Sequence, residues 1–259
     1  MIITSNIPAP DAAPPVPPGT LLAAAIDDEW SKNNRVRGGN VPFCYSVAWL
    51  ALSREHVVPG SFGFWYSSAY VHGTGETGEL VASADSALLR VLACASLIAG
   101  HQLSSDLAVL AAAADAPLLG VTAAQVAWRR RGELLPGGPQ LLDTRYDTGP
   151  VLRRASRRLV DVCAELHLDV TQPELRGTSM TALHRRWLEH EETLAREKIT
   201  VLNLRHALST ALVAAHIAGL ASWPPGLNVN KTLAARLDGA LGWLNDPVFT
   251  ALLEEPGAP

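Results

Sequence analysis

The chemistry-bearing residues of this chain gather first at Asp27-Asp28-Glu29, where three acids close a continuous apolar run over residues 21–26. In an extended chain, residues two apart point to the same side, so Asp27 and Glu29 present two carboxylates to one point while Asp28 faces the other way. Like charges held together at the end of an apolar strand are unfavourable unless a cation neutralises them, and an oxygen-rich donor set suits Mg²⁺ or Mn²⁺. A third acid, Asp106, follows in the segment Ile98-Ala99-Gly100-His101-Gln102-Leu103-Ser104-Ser105-Asp106-Leu107. There it falls in the first turn of a helix that follows a short strand, from which a carboxylate can reach back over the sheet end. An Asp at that point equally favours the helix N-terminus electrostatically.

These residues need a scaffold, and the chain divides into a strand-rich half and a helix-rich half. Residues 1–19 hold six prolines and are expected to form an extended, flexible tail unable to pair as a strand. A single domain is expected over 20–255, mostly helical from about 151. The run 21–26 reads as a strand buried on both faces. The β-forming and aromatic runs 41–52 and 62–71 add two more strands, most economically as an antiparallel meander. Ser83 and Asp85 are candidate N-caps for a helix over 86–97. A strand at 98–101, a helix over 104–114, a helix from Thr122 to Arg131 and a strand at 141–144 follow. Further helices are expected at 151–166, 179–197, 199–220 and 230–244. Three strands and then helix–strand–helix–strand–helix is the order of an α/β mixed sheet flanked by helices.

Composition narrows the function classes. With 259 residues and 48% apolar content the chain can bury a sizeable core. No apolar run reaches the length of a membrane span, and the N-terminus lacks the charged region of a secretory signal, so a cytoplasmic protein with no membrane association is expected. Cys44, Cys94 and Cys163 are widely separated and read as small buried hydrophobes rather than a metal or disulfide framework. A net charge of −4 gives no global support for nucleic-acid binding. Positive charge is local, however. Arg153/Arg157 and Arg154/Arg158 would share one helix face, and Lys32, Arg35 and Arg37 follow the first acidic motif; both groups are candidates for phosphate contacts. Trp30, Phe64, Trp65 and Tyr66 have the chemistry to stack bases, although aromatic residues in strands more often pack the core.

The Asp-x-Glu motif at the end of the first strand, a Gly-His-Gln turn with an Asp five residues after the His, and the later Asp143-Thr144 strand together resemble the DEDD-superfamily 3′–5′ exonucleases. The resemblance runs from about residue 21 to 144 and more loosely to 220. It implies an RNase H-like fold and hydrolysis of single-stranded DNA or RNA from a 3′ end. The implied cofactor is a pair of Mg²⁺ or Mn²⁺ ions, about 3.5–4 Å apart in two-metal sites. Carried over by position, Asp27 and Glu29 correspond to the first motif and Asp106 to the second. His101 and Gln102 lie in the turn, with Gln102 where the family usually has Asn. The third motif diverges: the helix that includes residues 201–212 contains no acid, and an imidazole in place of the implied carboxylate would shift preference from Mg²⁺ toward Mn²⁺ or another transition metal. His206 takes the fourth-Asp position if Thr210-Ala211 is aligned with the family's Thr-Ala. It is the general-base His if that Asp falls on Ala211 or Thr210, and His184 with Glu189 is a further option. The divergence leaves a second expectation open: an exonuclease-fold module that no longer catalyses and instead binds nucleic acid or a protein partner.

Overall fold

A computed structural model describes residues 1–9, 12–17, 19–31, 39–52, 63–133, 138–152, 156–237 and 239–254. In chain order the strands and helices are β1 (Ile2–Ser5), β2 (Leu21–Ser31), β3 (Val41–Leu52), β4 (Phe64–Tyr70), α1 (Thr77–Cys94), β5 (Leu97–Gly100), α2 (Leu103–Ala112), α3 (Leu119–Arg129) and β6 (Gln140–Asp143). The helix-rich half contains α4 (Leu159–Glu165), β7 (Leu168–Asp169), α5 (Met180–His190), α6 (Thr193–Ile217), β8 (Leu227–Asn228), α7 (Val229–Leu237) and α8 (Pro247–Thr250). Six strands form one mixed sheet in the order β1-β4-β3-β2-β5-β6. β2, β3 and β4 are the expected antiparallel meander, and β5 and β6 continue from β2 in parallel.

Alternation along β2 divides the core in two. Ala23 and Ala25 pack with Val201, Leu204, Ala207 and Leu208 of α6 on one face. Leu22, Ala24 and Ile26 pack with residues of α1 and α2, among them Leu80, Leu88, Leu103 and Leu107, on the other. The small side chains at Ala23, Ala24 and Ala25, each 1% exposed or less, let the helices on both faces approach closely. Helix α6 is apolar around most of its circumference and accordingly lies buried as the central helix of the second half. Among the described residues no helix is long and apolar enough to cross a membrane.

Several expectations change. Residues 2–5 pair with β4 as an antiparallel edge strand, with Ile7 buried behind it, so the proline-rich segment is not wholly a free tail. The four residues of β1 precede the first proline, which removes the backbone objection to pairing. Helix α1 starts at Thr77 rather than at 86, because Leu80, Val81 and Ala84 already supply its buried stripe. Ser83 and Asp85 do not cap it. The Ser83 hydroxyl bonds the Tyr45 hydroxyl at 2.7 Å, and Asp85 Oδ1 accepts the Val121 amide at 2.8 Å, at the start of α3. Of the helix expected over 151–166, the described residues form α4, and residues 156–158 before it are not helical. Arg157 precedes it and donates to Thr148 Oγ1 at 2.7 Å, and Arg158, at the residue before the helix, pairs with Asp161 at 3.3 Å. Arg157 and Arg158 thus lie before α4 rather than on an exposed helix face, and Arg153 and Arg154 lie outside the described residues. Cys44 and Cys163 are buried and Cys94 half-buried, in line with their reading as core residues.

Candidate functional site

The site lies at the carboxyl ends of the parallel strands β2 and β5, where open α/β sheets commonly bind ligands. A pocket of about 600 Å³ there is lined by Asp27, Asp28, Glu29 and Trp30 of β2, His101 and Gln102 after β5, Asp106 of α2, and Ser179, Met180 and Thr181 at the start of α5. A register shift between Glu29 and Trp30 marks a bulge in the β2–β3 pairing at the pocket.

Parity along β2 carries Asp27 and Glu29 onto the face covered by α6. There His206 Nδ1 lies 3.4 Å from Asp27 Oδ2 and 3.6 Å from Glu29 Oε1. One ligand atom from each of these three residues falls within 4.8 Å of the others, so they are close enough to share one ion. Asn203, one turn before His206, donates to Asp27 Oδ2 at 2.7 Å and to the Asp27 carbonyl at 3.1 Å, fixing the carboxylate against α6. The thiol of Cys44 lies 3.6 Å from Asn203 Oδ1 and holds that amide in its orientation. On the other side of the imidazole, Gln172 Nε2 lies 2.9 Å from His206 Nε2. Burial alone would lower the affinity of His206 for its proton, but hydrogen bonds to Asp27 and Glu29, with their charges, raise it to about 10.

Asp106 is not part of that three-residue group. Helix α2 packs on the opposite face of β2, the face to which Asp28 belongs by parity, and both side chains are 4% exposed. Burial raises the Asp106 carboxyl well above the usual carboxylate range, and among neighbouring charges Asp28 acts on it most strongly, ahead of Asp27 and Glu29. Asp28 itself is raised by burial and then by the charges of Asp27 and Glu29. The opposed orientation of Asp28 follows from strand parity. That α2 encloses it beside Asp106 does not.

The turn that leads to Asp106 is built around Asp143. Its carboxylate is fully buried and accepts the Gln102 and Arg145 amides through Oδ1, and the Leu103 amide and Trp128 Nε1 through Oδ2, all at 3.0 Å. These bonds cap the N-terminus of α2 and hold Gln102 at φ 71°, a left-handed conformation. Gly100 is required just before it, since a Cβ there would meet Leu103 Cβ at 2.5 Å. His101 Nδ1 pairs with Thr144 Oγ1 at 3.0 Å, and burial lowers its proton affinity. Asp143 is thus an organiser of the turn.

The remaining candidates separate clearly. His184 stacks on Phe43 with ring centroids 3.9 Å apart and shares a 2.8 Å hydrogen bond with the Tyr70 hydroxyl, while Glu189 is exposed and pairs with Arg185. That His–Glu pair is not at the pocket. Ala211 and Thr210 are fully buried within α6. Of the aromatic candidates, Trp30 lines the pocket, Phe64 and Tyr66 are in the core, and Trp65 packs against it. Lys32, Arg35 and Arg37 lie outside the described residues. Reading by motif missed Asn203 and Gln172. Asn203 precedes His206 by three residues, a spacing that puts both on one helix face, whereas Gln172 comes from a connection with no such signal. No known protein family matches the sequence, and no curated protein matches it either.

Proposed function

We propose that this chain is a metal-dependent phosphodiester hydrolase of the 3′–5′ exonuclease type, acting on the 3′ end of single-stranded DNA or RNA. The observation that carries the reading is the convergence of Asp27, Glu29 and His206 within 4.8 Å at the edge of an open pocket. Two carboxylate oxygens and one imidazole nitrogen fit a divalent ion such as Mn²⁺ or Mg²⁺, with the nitrogen favouring the former. The strand order, with β3 alone antiparallel among β2, β3, β4, β5 and β6, agrees with an RNase H-like sheet and adds support. The direction of attack and the nucleic-acid substrate rest on the sequence resemblance.

In this reading Asp27, Glu29 and His206 hold the ion. Asn203 holds the Asp27 carboxylate in place. Gln172 lies against the far nitrogen of His206 and, with its amide turned so that Oε1 faces the ring, accepts the N–H of that nitrogen. A bound divalent ion would supply charge neutralisation for the phosphate and lower the pKa of a water nucleophile. Trp30 at the pocket wall offers a flat apolar surface against which a terminal base can stack.

A second reading has its own observation. At neutral pH His206 carries a proton and neutralises Asp27 and Glu29 by itself, as a module that had exchanged its fourth acid for an internal counter-charge would do. Incubating 3′- and 5′-labelled single strands with the protein in Mg²⁺ and in Mn²⁺, beside Asp27→Ala, separates the two. Stepwise loss from the 3′ end, stronger in Mn²⁺ and abolished in Asp27→Ala, is expected. Retention of the strands by a wild type that never cuts them would transfer the assignment to the binding module, and cleavage that survives Asp27→Ala would remove the site.

A further inference from the structure

Asp28 is the one acid of the Asp27-Asp28-Glu29 run that the three-residue group does not use. It is 4% exposed, it lines the pocket, and among the described residues neither carboxylate oxygen has a hydrogen-bond partner. Asp106, on the helix covering the same face of β2, is equally buried, lines the same pocket and has an unpartnered Oδ2. Buried side-chain oxygens in native proteins nearly always find a donor, because an unsatisfied buried carboxylate is unfavourable by several kcal/mol or more. No described Lys or Arg lines the pocket, and the imidazole of His206 faces Asp27 and Glu29 on the opposite side of the strand. Two carboxyl groups with three orphaned oxygens at one pocket wall thus have, among the described residues, no positive partner of the kind their burial calls for.

We infer that Asp28 and Asp106 form a second cation site, separated from the Asp27–Glu29–His206 group by the strand itself and supplied by oxygen ligands alone. The donor set specifies the ion: carboxylates without imidazole suit a hard divalent cation such as Mg²⁺ or Ca²⁺, whereas the first group tolerates Mn²⁺ and softer ions. The arrangement differs from the one the sequence resemblance implied, since Asp106 finds its partner in Asp28 rather than in the Asp27/Glu29 pair. The inference deepens the hydrolase reading and shares its pocket, but it concerns ion binding and can be read without catalysis.

The test counts ions on the full chain after chelator treatment. Isothermal titration and Mn²⁺ electron paramagnetic resonance are run on wild type, Asp28→Asn, Asp106→Asn and His206→Gln, with Ca²⁺ as competitor and the His206 ring resonances followed by NMR. Two Mn²⁺ ions are expected in wild type, with Ca²⁺ displacing one of them. In Asp28→Asn and in Asp106→Asn one ion remains and still broadens the His206 resonances. In His206→Gln one ion remains and Ca²⁺ displaces it. Asn is close to Asp in size and removes a buried charge, so both Asn variants are expected to melt, metal-free, at or above the wild-type temperature; this guards against loss of binding through unfolding. Two ions retained in both Asn variants overturn the inference. So does a single wild-type ion, whether it survives in Asp28→Asn, so that the acid pair merely shares a proton, or disappears in all the variants, so that there is one composite site. Absence of any ion also overturns it. A protein that binds two ions and cuts nothing removes the hydrolase reading and leaves this site standing, whereas one that cuts with a single ion does the reverse.

Discussion

At the scale of the residue, His206 decides what the pocket can do. Its proton affinity is raised to about 10, because hydrogen bonds and charges from Asp27 and Glu29 outweigh its burial. A His whose folded pKa exceeds its unfolded value, near 6.5, stabilises the fold fully below that value and loses the contribution as pH rises through the folded one. Metal-free protein should therefore lose a few kcal/mol between about pH 6.5 and 10, and His206→Gln should flatten that slope in urea melts. A divalent ion must displace the same proton, so Mn²⁺ affinity should rise about tenfold per pH unit between roughly pH 7 and 9. A pH-independent Mn²⁺ affinity would show that the ion sits elsewhere. His206→Asp should abolish the rise and shift preference toward Mg²⁺. His184 runs the other way. Burial lowers it to about 4, so its contribution is present above about pH 6.5 and is lost as pH falls toward 4. That loss is on the order of 3 kcal/mol, and thermal melts of wild type and His184→Phe across this window should diverge. Sequence pointed to Asp27 and Glu29 because acids two apart on a strand are a local signal, and to His206 through its position relative to Thr210-Ala211 in the resemblance. Gln172 and the enclosure of Asp28 depend on contacts between distant segments, which no spacing reports.

At the scale of the element, the turn after β5 shows why strands were easier to place than helix ends. The segments of β2, β3 and β4 are rich in apolar and aromatic residues, and their pairing follows from their order. The start of α1 and the extent of α4 depart from the sequence pattern for opposite reasons. Polar residues inside α1 serve tertiary partners rather than caps. The arginine-rich segment before α4 would have placed like charges four residues apart along a helix, an arrangement that disfavours helix formation. Asp143 supplies the test at this scale, because one carboxylate accepts three backbone amides and an indole N–H. Asp143→Asn keeps the size but turns an acceptor into a donor facing donors. It should cost about 1–3 kcal/mol for each bond left unmade and raise hydrogen exchange at the amides of Gln102 and Leu103. Unchanged exchange at those two amides would mean that the turn is held by something other than Asp143.

At the scale of the whole molecule, the second half is tied together by a charge that sequence could not place. Arg205 is fully buried within α6. It pairs with both oxygens of Glu174 at 2.7 and 2.8 Å and donates to Asn230 of α7 at 2.6 Å, while Trp243 Nε1 donates to Glu174 at 3.1 Å. Gln172 lies two residues before Glu174, so the same clamp sets the segment that contacts His206. Removing one partner of such a pair leaves a buried charge alone, so Arg205→Met should lower stability by about 3–5 kcal/mol. Arg205→Met with Glu174→Leu should recover part of that loss in denaturant titrations, and two strictly additive substitutions would show that the pair is not coupled. The opposite end of the molecule depends on β1. Ile2–Ser5 covers the outer edge of β4, pairing Ile2 with Tyr70 and Ser5 with Ser67, and Asn6 continues the cover with side-chain bonds to the Phe64 carbonyl and the Tyr66 amide. Without that cover β4 would present unpaired amides and carbonyls beside a largely apolar strand, a template for pairing with a second copy. Deleting residues 1–7 should lower the melting temperature and move the protein to larger species in size-exclusion chromatography. Adding Lys at Trp65, on the exposed edge of the truncated protein, should reverse the association but not the loss of stability. A truncated chain that keeps both its melting temperature and its elution position would show that β1 is dispensable to the sheet.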